Sequence, residues 1–255
     1  EALSVPQLLS KAAGYFVKSY GGNDEAAAAL GAAVESAPEN SMATAMMVFC
    51  LWRANEFSVL DIPAVDKEAI LDEAERAVSL DPNSFFARLT AAMTAQDLLG
   101  DFAAALAQAE TALELNSGFS QATAMAGIAK CHLGQIADGA DMLARAIAAA
   151  PEDPHRFRHF REQAMIRFMA GDAEAAVEIA TRLVRQAPDL ERNKLVLAAL
   201  SGMAGDGAAA RSIVGDLLAD YPDLTVATMR PFHFGDDAMA ARYAEALVEA
   251  GVPER

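Results

Sequence analysis

The feature that most constrains this chain is a self-match at a shift of 34 residues. Laid on itself at that offset, Gly100 falls on Gly134, Ala105 on Gly139, Ala112 on Ala146 and Leu113 on Ile147. Further along, Gly171 falls on Gly205, Asp172 on Asp206, Ala176 on Ala210, Leu183 on Leu217 and Pro188 on Pro222. A period of that length belongs to stacked supersecondary units, each too small to bury its own apolar face alone. Between the two matching pairs the register slips by three residues, around Pro154. Closing prolines at Pro38 and Pro82 carry the series backwards, each behind an alanine-rich stretch with helical spacing. This gives six units: 7–40, 41–85, 86–119, 120–153, 157–190 and 191–224. The second is about eleven residues too long, and its surplus, near Asn55 to Asp66 with Pro63, reads as a lengthened turn.

Each unit resolves into two helices of about 12 to 15 residues. In unit 86–119, Gly100 supplies the positive φ that ends the first helix and Asp101 caps the second. Small residues recur where paired helices must cross closely: Ala92, Gly127, Ala164 and Ala198 on first helices, Ala105, Gly139, Ala176 and Ala210 on second helices. Larger side chains such as Leu106, Leu113, Leu143, Ile147, Val177 and Val184 fill the space between units. Alternation of apolar and polar residues is nowhere sustained, so no strand pattern competes.

These residues resemble the tetratricopeptide repeat (TPR) family. Gly100-Asp101-Phe102, then Ala105-Leu106 and Ala112-Leu113-Glu114-Leu115-Asn116, look like its second-helix signature, and the closing prolines at 38, 82, 151, 188 and 222 fit it. The resemblance covers about 220 residues, while the family's first-helix tryptophan and tyrosine are mostly replaced, as by Leu89, Thr123 and Lys194. It implies an all-α fold: a TPR superhelix, or α-α solenoid, of about six helix pairs with a C-terminal capping helix in 225–255, running as one solenoid over 1–255. First helices would line a concave groove. A narrower resemblance sits in the tail. Pro222-Asp223-Leu224-Thr225, Pro231-Phe232, and Tyr243 to Leu247 running into Ala250-Gly251-Val252-Pro253-Glu254 are similar to C-terminal TPR regions of bacterial signalling proteins. Those follow class III adenylate or guanylate cyclase domains, or winged-helix domains of transcription regulators. Glu1 is not an initiator Met, and the chain reads as a piece of such a longer protein.

Composition narrows the partners. A net charge of −16 disfavours nucleic acid and anionic membrane as partners of the whole surface. The longest apolar run, Met42 to Trp52, falls short of the roughly 18 residues a membrane span needs. Two cysteines, Cys50 and Cys131, make no disulfide framework and read as small buried hydrophobes. The expected setting is cytoplasmic, or periplasmic where a transmembrane helix precedes the module.

Catalytic chemistry finds no anchor. His155, His159 and Glu162 share a helical face at a spacing a metal site can use, but Arg156, Arg158 and Arg161 around them oppose a cation, and a solvated first turn is the better reading. Gly202 to Gly207 lacks the strand and the lysine of a phosphate loop and falls on the repeat's turn. Neither a cofactor nor a metal is expected, and the chain reads as no enzyme. Its expected partner is a protein or peptide carrying an acidic segment, with homo-oligomerisation as a further option.

The candidate partner-binding residues follow from phase. A charge run such as His155 to Arg167 is usually a solvated face; the functional alternative uses phase, since Arg158 and Arg161 lie three apart on a first helix and Arg192 takes the place of Arg158 one repeat on, which lets the three face one groove. Phe157 or Phe168 beside them would pack an apolar guest residue. Trp52, with Met42, Met46, Met47 and Phe49 nearby, reads either as core between helices, the commoner outcome for such a stripe, or as a peptide-binding surface with part of the ring left accessible where the insertion interrupts stacking. The lysine and asparagine pattern by which some TPR relatives clamp a terminal carboxylate is absent: Thr90, Thr94, Ala124 and Ile128 stand there. Two readings stay open: a scaffold binding a separate protein through the groove, and a regulatory or oligomerisation segment acting within its parent chain.

Overall fold

The computed structural model describes residues 3–18, 23–56, 58–61, 66–153 and 156–255. Pro63 in the long turn, and Pro154 and His155 at the register slip, lie outside them. Thirteen α-helices account for most of the described chain: α1 Val5–Lys18, α2 Asn23–Ser36, α3 Ser41–Glu56, α4 Lys67–Leu80, α5 Phe85–Thr94, α6 Phe102–Leu115, α7 Ser120–His132, α8 Ile136–Ala149, α9 Arg156–Met169, α10 Ala173–Gln186, α11 Glu191–Met203, α12 Gly207–Asp220 and α13 Asp237–Glu249. The first twelve fall two to a repeat and α13 is the capping helix, the all-α solenoid that the period implies. One departure is local. α5 continues into a π-helical turn, Ala95–Leu99, before Gly100 closes it at φ 71°, a backbone setting a side chain with Cβ resists.

Helix starts follow the capping logic. Asp101 accepts the Ala104 amide at 2.9 Å, and Asp66, Asp172, Asp206 and Asp236 do the same at α4, α10, α12 and α13. Glycines with positive φ recur at 134, 171 and 205, between the two helices of successive repeats. Gly202 to Gly207 is accordingly a helix end, a turn and a helix start.

The chain's contacts divide into two compact units. The first holds residues up to 56 and 66–129, and the second holds 58–61 with 130–255. In the first, α1 packs on α2, α3 on α4 and α5 on α6, with α2 against α3 and α4 against α5. In the second, α9 packs on α10, α11 on α12, α10 on α11, and α13 on α11. First and second helices differ in burial. α3 and α11 are covered on nearly every side, whereas α4 and α12 each bury a single stripe, Ile70, Ala74 and Ala77 or Ala210, Val214 and Leu217. A helix packed on several sides has to bury whatever polar residues it carries. Those polar residues build the sites considered next.

Candidate functional site

The first unit buries a polar group at the ends of α3 and α5. Trp52 is 1% exposed, stacked on Phe49 at 5.6 Å, and its indole N–H donates to Asp97 Oδ2 at 2.9 Å. The core reading of this stripe therefore holds at Trp52, and the alternative of an accessible ring is corrected. The ring is sealed because the π-helical turn brings a carboxylate within reach of its only polar atom. Gln96 donates to the other Asp97 oxygen at 3.0 Å, and the Arg53 guanidinium lies 5.5 Å from the Phe16 ring centroid. The Phe16 and Phe86 rings lie 5.1 and 5.9 Å from that of Phe49.

The second unit holds the predicted arginines. Arg158 and Arg161 on α9 and Arg192 on α11 are 4%, 4% and 8% exposed, so none stands open to solvent as an anion patch. Part of their cover is the chain's own tail. Arg192 Nη2 donates to the Pro231 carbonyl at 3.2 Å, and its guanidinium lies 5.9 Å from the Phe232 ring centroid. Tyr243 of α13 is buried beside them. Burial drives its hydroxyl up to about 12, opposed by the charges of Arg192 and Arg161 and assisted by Glu162. Phe168 belongs to the core, with the Arg242 guanidinium 4.8 Å from its ring centroid, and it offers no open wall to a guest.

Between α12 and α13 the chain leaves the repeat, turns at 222–223 and again at 226–228, and then continues through residues 230–234, which belong to no helix. The Asp61 amide donates to the Thr228 carbonyl at 2.9 Å and the Arg230 amide to the Val59 carbonyl at 3.0 Å, around an antiparallel bridge of Leu60 with Met229. The surplus of the second repeat thus supplies a pairing edge for this segment, where sequence read only a longer turn. Pro231 to Phe234 then lie half-buried. Phe232 and Phe234 are 5.0 Å apart and lie 5.8 and 5.5 Å from Tyr243. Phe234 also meets the His132 ring of α7 at 6.1 Å, and the Gly235 amide donates to His132 Nδ1 at 3.3 Å. A Cβ at position 235 would fall on the His132 carbonyl, so only glycine permits this approach.

Asn193, next to Arg192, is 1% exposed, and neither of its amide atoms has a hydrogen-bond partner among the described residues. His159 and Glu162 are buried, which corrects the reading of a solvated first turn, and no cluster of metal-ligating side chains occurs among the described residues. No described helix is long and apolar enough to cross a membrane.

No protein-family model matches the sequence, and no curated protein matches it. Solved structures do. Human IFIT1, as a dimer with PPP-AAAA, superposes on 85% of this chain with TM-score 0.66 and 18% identity; this chain covers 50% of that protein's length. PilW, a widely conserved type IV pilus biogenesis factor, matches 86% of this chain and 94% of its own at TM-score 0.58 and 19% identity. A thermophilic TPR protein of Thermus thermophilus matches 77% of this chain and 98% of its own at TM-score 0.57 and 14% identity. At such identities the likeness is one of fold.

Proposed function

We propose that this chain, a stack of helix pairs with the fold of TPR proteins, is a non-enzymatic scaffold that binds an extended peptide of a partner protein along the face carried by its first helices. One observation carries the reading: that face already holds a non-helical segment of the chain, Pro231 to Gly235, through Arg192 and His132. Helix backbones pair their own amides and carbonyls internally, so a strand laid on them must be held by side chains. Arg192 supplies a donor to a peptide carbonyl and His132 an acceptor for a peptide amide. Asn193, buried next to Arg192 in sequence, keeps an unpaired amide and takes no part in holding the resident segment.

The buried arginines change the expected guest. Arg192 takes a main-chain carbonyl, which every peptide carries, so an acidic segment is not a requirement for binding. A bare RNA strand is disfavoured by the net charge of −16. The test is a displayed library of extended peptides selected on the full chain, with photo-crosslinking to locate the bound ones. Adducts on α9 and α11 support the reading. Adducts confined to the second helices α10 and α12, or no enriched peptide, contradict it.

A second reading has its own support. The tail's likeness to TPR regions behind bacterial cyclase and winged-helix domains, together with the chain's hold on its own segment, favours a partner within a longer parent protein. Size-exclusion of this chain beside that parent separates the two readings: compaction of the parent favours the intramolecular one.

A further inference from the structure

The segment Pro231–Gly235 packs Phe232 and Phe234 on the buried cluster of the second unit, yet none of its five residues is itself buried. It lies outside the 34-residue period; Pro231 to Phe234 are half-buried and Gly235 is exposed, whereas α9 and α11 are buried over most of their length. Its flanks are secured without it. Val226 and Ala227 donate to the Pro253 and Glu254 carbonyls at 2.8 and 3.2 Å, and Thr225 and Thr228 bind each other across a tight turn. On the far side Asp236 caps α13 by accepting the Ala238 amide. Release of five residues therefore leaves α12, α13 and the 59–61 pairing in place.

We propose that Pro231–Gly235 is the resident ligand of a peptide site, and that the external partner is an extended peptide with two aromatic side chains two positions apart behind a proline, which binds by displacing it. The proposal rests on the peptide-scaffold reading above. The chemistry of the guest is copied from the occupant. Proline fixes an extended φ ahead of the carbonyl that Arg192 takes, and it loses little freedom on docking. The two aromatic rings, on alternate residues, meet the Arg192 guanidinium, the His132 ring and Tyr243. The position after the second ring must be glycine, because the backbone there passes against His132.

A resident ligand weakens every external one by the fraction of time the face is vacant. Gly235 offers the means to vacate it. Its φ lies outside the left-handed region, so leucine at 235 burdens only the docked state, where its Cβ meets His132, and spares the released strand. The probe is a fluorescein-labelled peptide with the sequence of residues 230–236, titrated by anisotropy into the full chain and into Gly235→Leu. Binding to Gly235→Leu at least tenfold tighter than to the unaltered chain, and lost when both phenylalanines of the peptide are serine, is the expected result. Equal affinity in both chains overturns the proposal, since the segment is then a fixed wall. If circular dichroism shows Gly235→Leu unfolded, the double variant Phe232→Ser/Phe234→Ser, which empties the face by removing the resident rings, takes its place under the same criteria. Selected peptides that crosslink to α9 and α11 while the 230–236 probe fails on the vacated chain sink this proposal and leave the scaffold reading standing. Failure of every peptide on the vacated chain sinks both.

Discussion

The indole N–H of Trp52 reaches Asp97 across 45 positions of sequence, 2.9 Å from donor to acceptor. The bond ties the end of α3 to a π-helical turn, where the extra residue per turn re-aims a side chain. Since Trp52 is the single tryptophan of the chain, its emission reports this contact alone. Native emission is expected to be blue-shifted and resistant to acrylamide. Asp97→Ala leaves a buried donor without its acceptor and should cost about 1–3 kcal/mol in denaturant titration, with a red shift at the same midpoint. Stability and emission unchanged in that variant would contradict the account of this corner.

The crossing of α5 with α6 sets a second test. Ala105 is fully buried in a cluster with Ala95, Phe102 and Ala129. Ala105→Leu adds three carbons to a space that has no room for them and should destabilise the chain by about 1–3 kcal/mol. A neutral result would mean that the small-residue positions do not mark the helix crossings.

The two thiols supply a pH test. Burial is the chief cause that raises Cys50 to about 11 and Cys131 to about 12; Arg53 lowers the first, and Asp24 and Glu162 raise the first and second respectively. Both are neutral at pH 8, so iodoacetamide should label the native chain far more slowly than the unfolded one. The sign for stability follows. Unfolded thiols ionise from about pH 8.5, whereas the folded ones hold their protons, so their contribution is complete below that pH and is lost as the pH rises towards 11 to 12. Tyr243, at about 12, adds to the loss at the upper end of that window. The melting temperature should be flat between neutrality and about pH 8.5 and fall above it; a melting temperature that rises through the alkaline range would contradict this.

Which parts of this were legible in the sequence depended on how far apart the cooperating residues lie. Turn glycines, capping aspartates and the alanines at helix crossings act within one repeat or on the next, so a period of 34 exposes them. Phase likewise placed Arg158, Arg161 and Arg192 on first helices. It was silent on their burial, because cover comes from outside the repeat: Pro231 is 39 positions from Arg192, and Gly235 is 103 from His132. The bond that seals Trp52 is hidden from sequence for the same reason, its acceptor Asp97 lying in the next repeat in a turn of non-standard pitch. Phe234, Gly235 and Tyr243 went unrecognised as site residues. The signal available was the run Pro231-Phe232-His233-Phe234-Gly235, an aromatic and proline cluster in the stretch between two helices where the period stops.

Asn193 separates stability from function. Its amide is buried with neither atom paired, so Asn193→Leu, similar in volume, removes a desolvation cost and should raise stability by about 1 kcal/mol. The same variant should leave binding of the 230–236 peptide within about twofold, since the resident segment makes no hydrogen bond to this amide. A variant that loses stability would contradict the unpaired state of this amide.

The central claim, that the first-helix face of the second unit binds extended peptide, meets its most direct test in hydrogen exchange on the full chain saturated with a selected peptide. Protection should rise along α9 and α11, while the amides of 232–235 exchange faster as the resident segment is released. Protection that rises only on α10 and α12, with 232–235 unchanged, would contradict the account.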